Sequence, residues 1–300
     1  MLTEADIFPI LGACAALASA LMWAISAILF RQIGDSMSAV AMNFGKGIVA
    51  LVCLGIFLVF SGFGETETSS IVYLALSGLV GICLGDTLYF MSLIRLGARL
   101  TLLIGTLIPV VTGVAAVILL GEQLTISAWL GVFITLSGVA YVLWERAPSG
   151  RDPIQWRSGL VYGVLFILAN AAAILLTKIG VVGVPALEAT FIRQVWAVAG
   201  LTFFGLMTRQ LVAWHKPLKQ KKQFKRFILA AVIGAFLGTW LSVVAVKYTH
   251  VAIAATLNST SPLFVLPLVA WVFKERISPR AVIGALVACF GIAFYFFSLA

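Results

Sequence analysis

The stretch Gly81–Thr125, GICLGDTLYFMSLIRLGARLTLLIGTLIPVVTGVAAVILLGEQLT, is met again at Gly234–Ser278 as GAFLGTWLSVVAVKYTHVAIAATLNSTSPLFVLPLVAWVFKERIS. One shift of 153 positions lays Gly234 on Gly81, Gly238 on Gly85, Leu241 on Leu88, Pro262 on Pro109 and Glu275 on Glu122 without a gap. It continues through Gly284 on Gly131 and Gly291 on Gly138. Glycines, a proline and a glutamate held in register over so long a span mark an internal repeat. Upstream, a shift of 147 lays Gly159 on Gly12, Ala171 on Ala24, Lys178 on Arg31, Phe191 on Phe44 and Arg193 on Lys46. The shifts differ because the polar segment Thr208–Arg226 is longer than its counterpart Ser61–Ser70.

With 62% hydrophobic and 10% charged residues in 300, and a mean hydropathy of +1.12, the chain is too apolar for a soluble domain. It reads as an all-α integral membrane protein. Ten apolar runs suit the roughly 30 Å hydrocarbon core of a bilayer. They are Gly12–Phe30, Ser38–Phe60, Ile71–Ile94, Leu100–Leu120, Ser127–Trp144, Ser158–Thr177, Pro185–Met207, Phe227–Val246, Val251–Phe273 and Ala281–Leu299. The first has an acidic flank (Glu4, Asp6) and repeats as the sixth, so it is a structural span and not a cleaved leader. The connector Glu145–Arg157, with Pro148, Gly150 and Pro153, joins residues 1–150, the first five-helix repeat, to 151–300, the second. Cys14, Cys53, Cys83 and Cys289 all lie inside apolar runs without paired spacing, as small core residues do.

The net charge of +9 is a topology signal, not a nucleic-acid footprint. Arg31, Arg95, Arg99, Arg146, Arg151, Arg157, the cluster Arg209–Arg226, Lys274, Arg276 and Arg280 all follow odd-numbered spans. Glu4, Asp6, Glu65 and Glu67 lie on the opposite face. The positive-inside rule then makes the basic loops cytoplasmic and both termini extracytoplasmic. Because five spans per half is an odd number, the second half enters the membrane from the other side. Two inverted five-helix repeats are an arrangement found in secondary transporters, whose substrate site lies near the midplane between the repeats.

The candidate site residues are the polar groups inside the spans. Lys46 and Arg193 are repeat equivalents, and a charge at the bilayer centre costs at least about 2.5 kcal/mol, so it marks a wet cavity or a partner. The structural alternatives are that Lys46 snorkels to the basic side and that Arg193 pairs with Glu188. Asp86, the carboxylate deep in span 3, could take up a proton, bind a cationic substrate group or neutralise Lys46. Tyr89 stands one turn from Asp86. Asn43, Trp23, Asn170, Trp240 and Asn258 are further candidates, although amides and aromatics also serve plain packing. Pro109 and Pro262 predict kinks in spans 4 and 9, with the hydroxyls of Thr106 and Ser259 on the expected ligand-contact face. Glu122 and Glu275 read as turn residues, and His215 and His250 sit in polar loops. No metalloprotease motif, phosphate loop or intramembrane carboxylate pair is present, so neither an enzyme nor a cofactor or metal site is expected.

At LLGEQLT and VFKERIS, each closing a proline-bearing span, the sequence resembles the ten-helix EamA branch of the drug/metabolite transporter superfamily. Trp23-Ala24 in span 1 adds to the likeness. The resemblance covers nearly the whole chain. It implies a central cavity lined by spans 1 to 4 and 6 to 9, with spans 5 and 10 peripheral, and export or exchange of small metabolites. It also implies cytoplasmic termini, against which the charges here favour an inverted placement. Two cations and one carboxylate point to a small anionic or zwitterionic solute, such as an amino acid or organic acid. Coupling would come from a proton or an exchanged substrate, and the location would be a bacterial inner (plasma) membrane. The other readings are a translocase for lipids or amphiphiles and, in a different class, a membrane-embedded enzyme or receptor. Membrane lipids and a small-molecule substrate are the expected partners; nucleic acid is not.

Overall fold

The structure, a computed structural model, describes residues 4–34, 37–62, 64–120, 126–144, 153–214, 221–248, 257–274 and 278–297. Glu122, Glu275, His215 and His250 lie outside the described residues. Every regular element among the described residues is helical. These elements are α1 (Glu4–Ile33), α2 (Ala39–Ser61), α3 (Thr68–Leu96), α4a (Ala98–Gly105), α4b (Leu107–Leu120) and α5 (Ile126–Trp144). The second half holds α6 (Pro153–Gly180), α7 (Ala186–Met207), α8 (221–248), α9 (Ser261–Phe273) and α10 (Pro279–Phe297). Of these, α1, α2, α3, α6, α7 and α8 are long and apolar enough to cross a bilayer alone, and the others are shorter apolar helices.

Local chemistry sets the ends. Ser38 caps α2, its Oγ accepting from the Ala41 N–H at 3.3 Å, because the first turn of a helix has no internal acceptor. Gly97 separates α3 from α4a at φ 84°, a conformation that L side chains rarely adopt, while its N–H closes the last turn of α3 on Leu93 O.

Spans 4 and 9 are interrupted one turn ahead of the expected proline, at Thr106, which keeps φ −64° and ψ −13°, and at 259–260. α4a ends at Gly105 and α4b starts at Leu107, with the Thr106 hydroxyl folded back on Leu103 O at 2.7 Å. In the second half residues 259–260 form a turn, α9 starts at Ser261, and Thr260 Oγ1 donates to Leu257 O at 2.6 Å. The proline lacks an N–H, so the helix containing it starts with that position in its first turn instead of continuing through it. Thr106 is thereby a buried hydroxyl satisfied by its own chain.

The helices pack across the repeat boundary: α1 on α8 and on α9, α3 and α4b on α6, α2 on α7, and α5 on α10. Each pairing is the repeat image of another or of itself. The pair α5 and α10 is joined by glycines; a Cβ on Gly138 would lie 2.6 Å from Ala288 N, and one on Gly291 would lie 2.5 Å from Thr135 N. Their outer faces expose Trp129, Phe133, Ile283 and Phe290. Such a belt of exposed large apolar side chains is what a lipid-facing surface requires.

Candidate functional site

Two stretches in the structure are wound as π-helix, Gly78–Gly85 in α3 and Ala231–Gly238 in α8. The shift of 153 lays one on the other. Sequence reasoning found the glycines but not the winding, which no residue pattern announces. A π-turn frees carbonyls from the ordinary helical ladder, and such turns recur at functional sites.

Glycine lets the flanking helices reach these turns. In α3 a Cβ on Gly81 would stand 2.5 Å from the Ala173 Cβ, one on Gly85 would stand 2.8 Å from Asn170 Nδ2, and one on Gly78 would strike the Arg193 carbonyl. In α8, Gly234 faces Ser26, and a Cβ on Gly238 would lie 2.8 Å from Trp23 Cδ1. Trp23 and Asn170 are repeat equivalents, as are Ser26 and Ala173. Both sequence candidates therefore lie against a π-turn, one in each half.

Around the α3 turn the polar groups converge. The Asn43 amide, fully buried on α2, donates towards Ile82 O at 2.7 Å, Cys83 O at 3.1 Å and Thr87 Oγ1 at 2.9 Å. The Thr87 hydroxyl in turn donates to Cys83 O at 2.6 Å. One turn further along α2, Lys46 Nζ donates to Asp86 Oδ2 in an ion pair and sits 5.4 Å over the Phe90 ring. Lys46 is only 9% exposed, so it does not snorkel; it is neutralised in place. Tyr89 packs its ring on Phe90 and Phe166, centroids 5.3 Å away in both cases.

Arg193 reaches the same turn from α7. Its Nη2 would lie 3.8 Å from a Cβ on Gly81, within electrostatic range of Asp86 but outside ion-pair distance, and its buried Nε has no hydrogen-bond partner. The expected alternative, a pair with Glu188, is not formed. Glu188 instead accepts from Gly64 N–H at 3.0 Å and from the Thr66 hydroxyl.

The remaining candidates gather in the second half. Trp240 stacks on Phe236 at 6.2 Å and 4°. Asn258 Nδ2 donates to Ser242 Oγ at 3.0 Å while its Oδ1 is buried without a partner. The buried Ser259 offers its carbonyl to the Cys289 thiol at 3.6 Å. No group of three or more metal-ligating side chains occurs among the described residues. The structure thus divides the predicted set: Asn43, Lys46, Asp86, Tyr89, Asn170 and Arg193 lie at the α3 turn, Trp23 and Trp240 at the α8 turn, and Asn258 and Ser259 just ahead of α9.

Comparison with known proteins decides the family. The model of the EamA-like transporter family matches this chain twice, over residues 10–144 and 157–297. The chain belongs to the EamA-like transporter family. An uncharacterized transporter of Archaeoglobus fulgidus is 26% identical over 275 residues, covering 90% of this chain and 92% of its own. An uncharacterized protein of Pseudomonas aeruginosa is 28% identical over 146 residues, 49% of this chain and 50% of its own. A solved crystal structure superposes with a TM-score of 0.66 over 94% of this chain and 95% of that one; at 15% identity the likeness concerns the fold alone. In EamA terms the chain is an integral, multi-pass membrane protein with the two-repeat helical fold and the role of a transporter.

Proposed function

We propose that this EamA-family chain is a secondary transporter that moves a small anionic or zwitterionic metabolite, of amino acid or organic acid type, as an exporter or exchanger. The observation that carries this reading is the convergence of two cations on one carboxylate at the π-turn of α3, where α2 and α7 meet it. Lys46 already has its counter-charge in Asp86. The Arg193 guanidinium, with a fork of donors matched to a carboxylate or phosphate, has none within ion-pair distance. An incoming carboxylate pairs with Arg193, and Asp86 with Lys46 sets the local charge that admits an anion or a zwitterion and rejects a simple cation.

The repeats 1–150 and 151–300 rock against each other about the two π-turns, giving alternating access, and exchange or proton uptake drives it. The basic loops support extracytoplasmic termini in a bacterial inner membrane, by the positive-inside rule.

The test is thermal-shift stabilisation of the detergent-purified protein against anionic, zwitterionic, cationic and lipidic compounds, using RT ln(1 + [L]/Kd) to read affinity. An anion or zwitterion should stabilise the wild type, and the shift should vanish in Arg193→Gln, which breaks no ion pair and so keeps the fold. Undiminished stabilisation in Arg193→Gln would refute the site. Stabilisation by lipids alone would replace the solute by an amphiphile.

A further inference from the structure

Three buried polar atoms on α2 and α7, around the π-turn of α3, have no hydrogen-bond partner: Asn43 Oδ1, Arg193 Nε and Gln194 Nε2. Asn43 is fully buried and Gln194 is 3% exposed, so bulk water does not serve them. Buried polar groups are nearly always paired, and each exception calls for a cause. The orientation of the Asn43 amide is fixed, because its nitrogen is spent on Ile82 O, Cys83 O and Thr87 Oγ1. Its oxygen is left as a free acceptor.

Gln194 follows Arg193 on α7. A Cβ on Gly47 would lie 3.0 Å from its Nε2, so it is the glycine that lets α2 come against the amide. Gly47 is also the repeat equivalent of Gln194 under the shift of 147, as Lys46 is of Arg193. A residue that touches its own equivalent lies on the axis that exchanges the halves, where secondary transporters hold their solutes. Asn43 stands one turn before Gly47 on the same face of α2. Arg193 Nη2 lies by Gly81, the neighbour in the chain of Ile82, whose carbonyl binds Asn43. One junction thus holds two donors from α7 and one acceptor from α2. Charge narrows what fits there. Lys46 and Arg193 against Asp86 leave one positive charge over, and Glu188 does not offset it, being turned to Gly64 N–H and the Thr66 hydroxyl. A monoanion cancels that charge; a zwitterion leaves it standing and adds an ammonium close to two cations.

We propose that the solute is a small monocarboxylate with a neutral hydrogen-bond donor next to its carboxylate, of 2-hydroxy acid type, and that Gln194 and Asn43 select it. The carboxylate accepts from Arg193 and from the Gln194 amide nitrogen, while the hydroxyl donates to Asn43 Oδ1. This specificity rests on the anion site at Arg193. A carboxylate without the hydroxyl leaves the Asn43 oxygen unpaired on binding, and a site built around a hydroxyl discriminates against the analogue that lacks it.

The experiment reads the apparent Tm of the full-length purified protein against two matched series at constant ionic strength. One is lactate, propionate and alanine; the other is 3-phenyllactate, 3-phenylpropionate and phenylalanine. In at least one series the hydroxy acid should stabilise at a roughly tenfold lower concentration than the plain acid, as one hydrogen bond provides, and the amino acid should stabilise least. In Asn43→Ala that preference should vanish, each response being read from the variant's own baseline. In Gln194→Met, which keeps the length of the side chain, both acids should need more ligand with the preference intact. The baseline Tm should rise there, because a buried unpaired donor is gone. A merely structural glutamine would instead lower the baseline and leave the responses unchanged. Equal responses to hydroxy acid and plain acid, a stronger response to the amino acid, no response in either series, or a preference that survives Asn43→Ala overturns the proposal. Arg193→Gln tells the two readings apart: equal responses that disappear in it keep the anion site and sink the hydroxyl alone, whereas responses that persist in it refute the anion site as well.

Discussion

The π-turns of α3 and α8 share a register, a glycine pair and a flanking helix, yet they are chemically opposite. In α3 the turn is followed by Asp86 and Thr87, bound by Lys46 and Asn43 from α2. In α8 the equivalent residues are Thr239 and Trp240: the Thr239 hydroxyl reaches back to Gly234 O at 3.4 Å, and Trp240 stacks on Phe236. Both turns are held from a neighbouring helix, the first by Asn43 on α2 and the second by Ser19 on α1, whose hydroxyl donates to Gly238 O at 2.8 Å; the difference lies in the charges. Both intramembrane cations follow this asymmetry, since Arg193 leans towards α3 although its repeat position belongs to the second half. Duplication supplied the backbone, and divergence placed the charge on one side of it.

Breaking the charged turn should have the largest effect. Lys46→Ala leaves Asp86 without its partner among buried helices, which costs about 3 to 5 kcal/mol. The double change Lys46→Met with Asp86→Asn should restore most of that stability, since a buried ion pair can be exchanged for neutral groups at little cost. Guanidinium or thermal unfolding of Lys46→Met, Asp86→Asn and the double variant gives the coupling energy by a double-mutant cycle. Additive losses would show that Lys46 and Asp86 do not act as a pair.

Next in size is the amide bridge. Asn43→Ala removes the donor from two carbonyls of the π-turn and should cost about 1 to 3 kcal/mol, the penalty of leaving buried polar groups unsatisfied. The corresponding position in the second half, Thr190, bonds only within its own helix to Ala186 O, so Thr190→Ala should cost clearly less. A comparable loss in both would mean that the α3 turn does not depend on α2.

Much of this was legible in the sequence. The repeat, the spans and the inversion follow from glycine register and helix counting, and Lys46, Asp86 and Arg193 stood out because charges are rare in apolar runs. Their grouping was not legible. Which helices touch depends on packing across the repeat boundary, and the sequence does not say that Arg193 turns to α3 instead of to Glu188, five residues away. The π-winding was hidden because glycines spaced for close helix approach look the same whether the turn is α or π. The prolines of spans 4 and 9 marked the interruptions, but not their place one turn upstream, because proline marks where a helix can start as readily as where it bends. Glu188 read as a possible partner of Arg193 at a helix start, and only the structure shows it buried with Gly64 N–H and the Thr66 hydroxyl as its donors instead.

The smallest expected effect offers the finest test of the two turns. Thr239→Val deletes the hydroxyl that serves Gly234 O, a long bond of 3.4 Å, and should cost about 0.5 kcal/mol, the low end for a net hydrogen bond. Thr87→Val, one position further along in α3, deletes a hydroxyl that donates to Cys83 O at 2.6 Å and accepts from Asn43 at 2.9 Å, and should cost about 1 to 1.5 kcal/mol. The difference matters more than either value, because valine preserves shape in both and the two sites share backbone geometry. If Tm falls more in Thr87→Val, the α3 turn is held by a network reaching into α2, and rigidity is concentrated where the charges lie. If the two changes cost the same, each hydroxyl serves only its own helix, and the asymmetry resides in the charges alone.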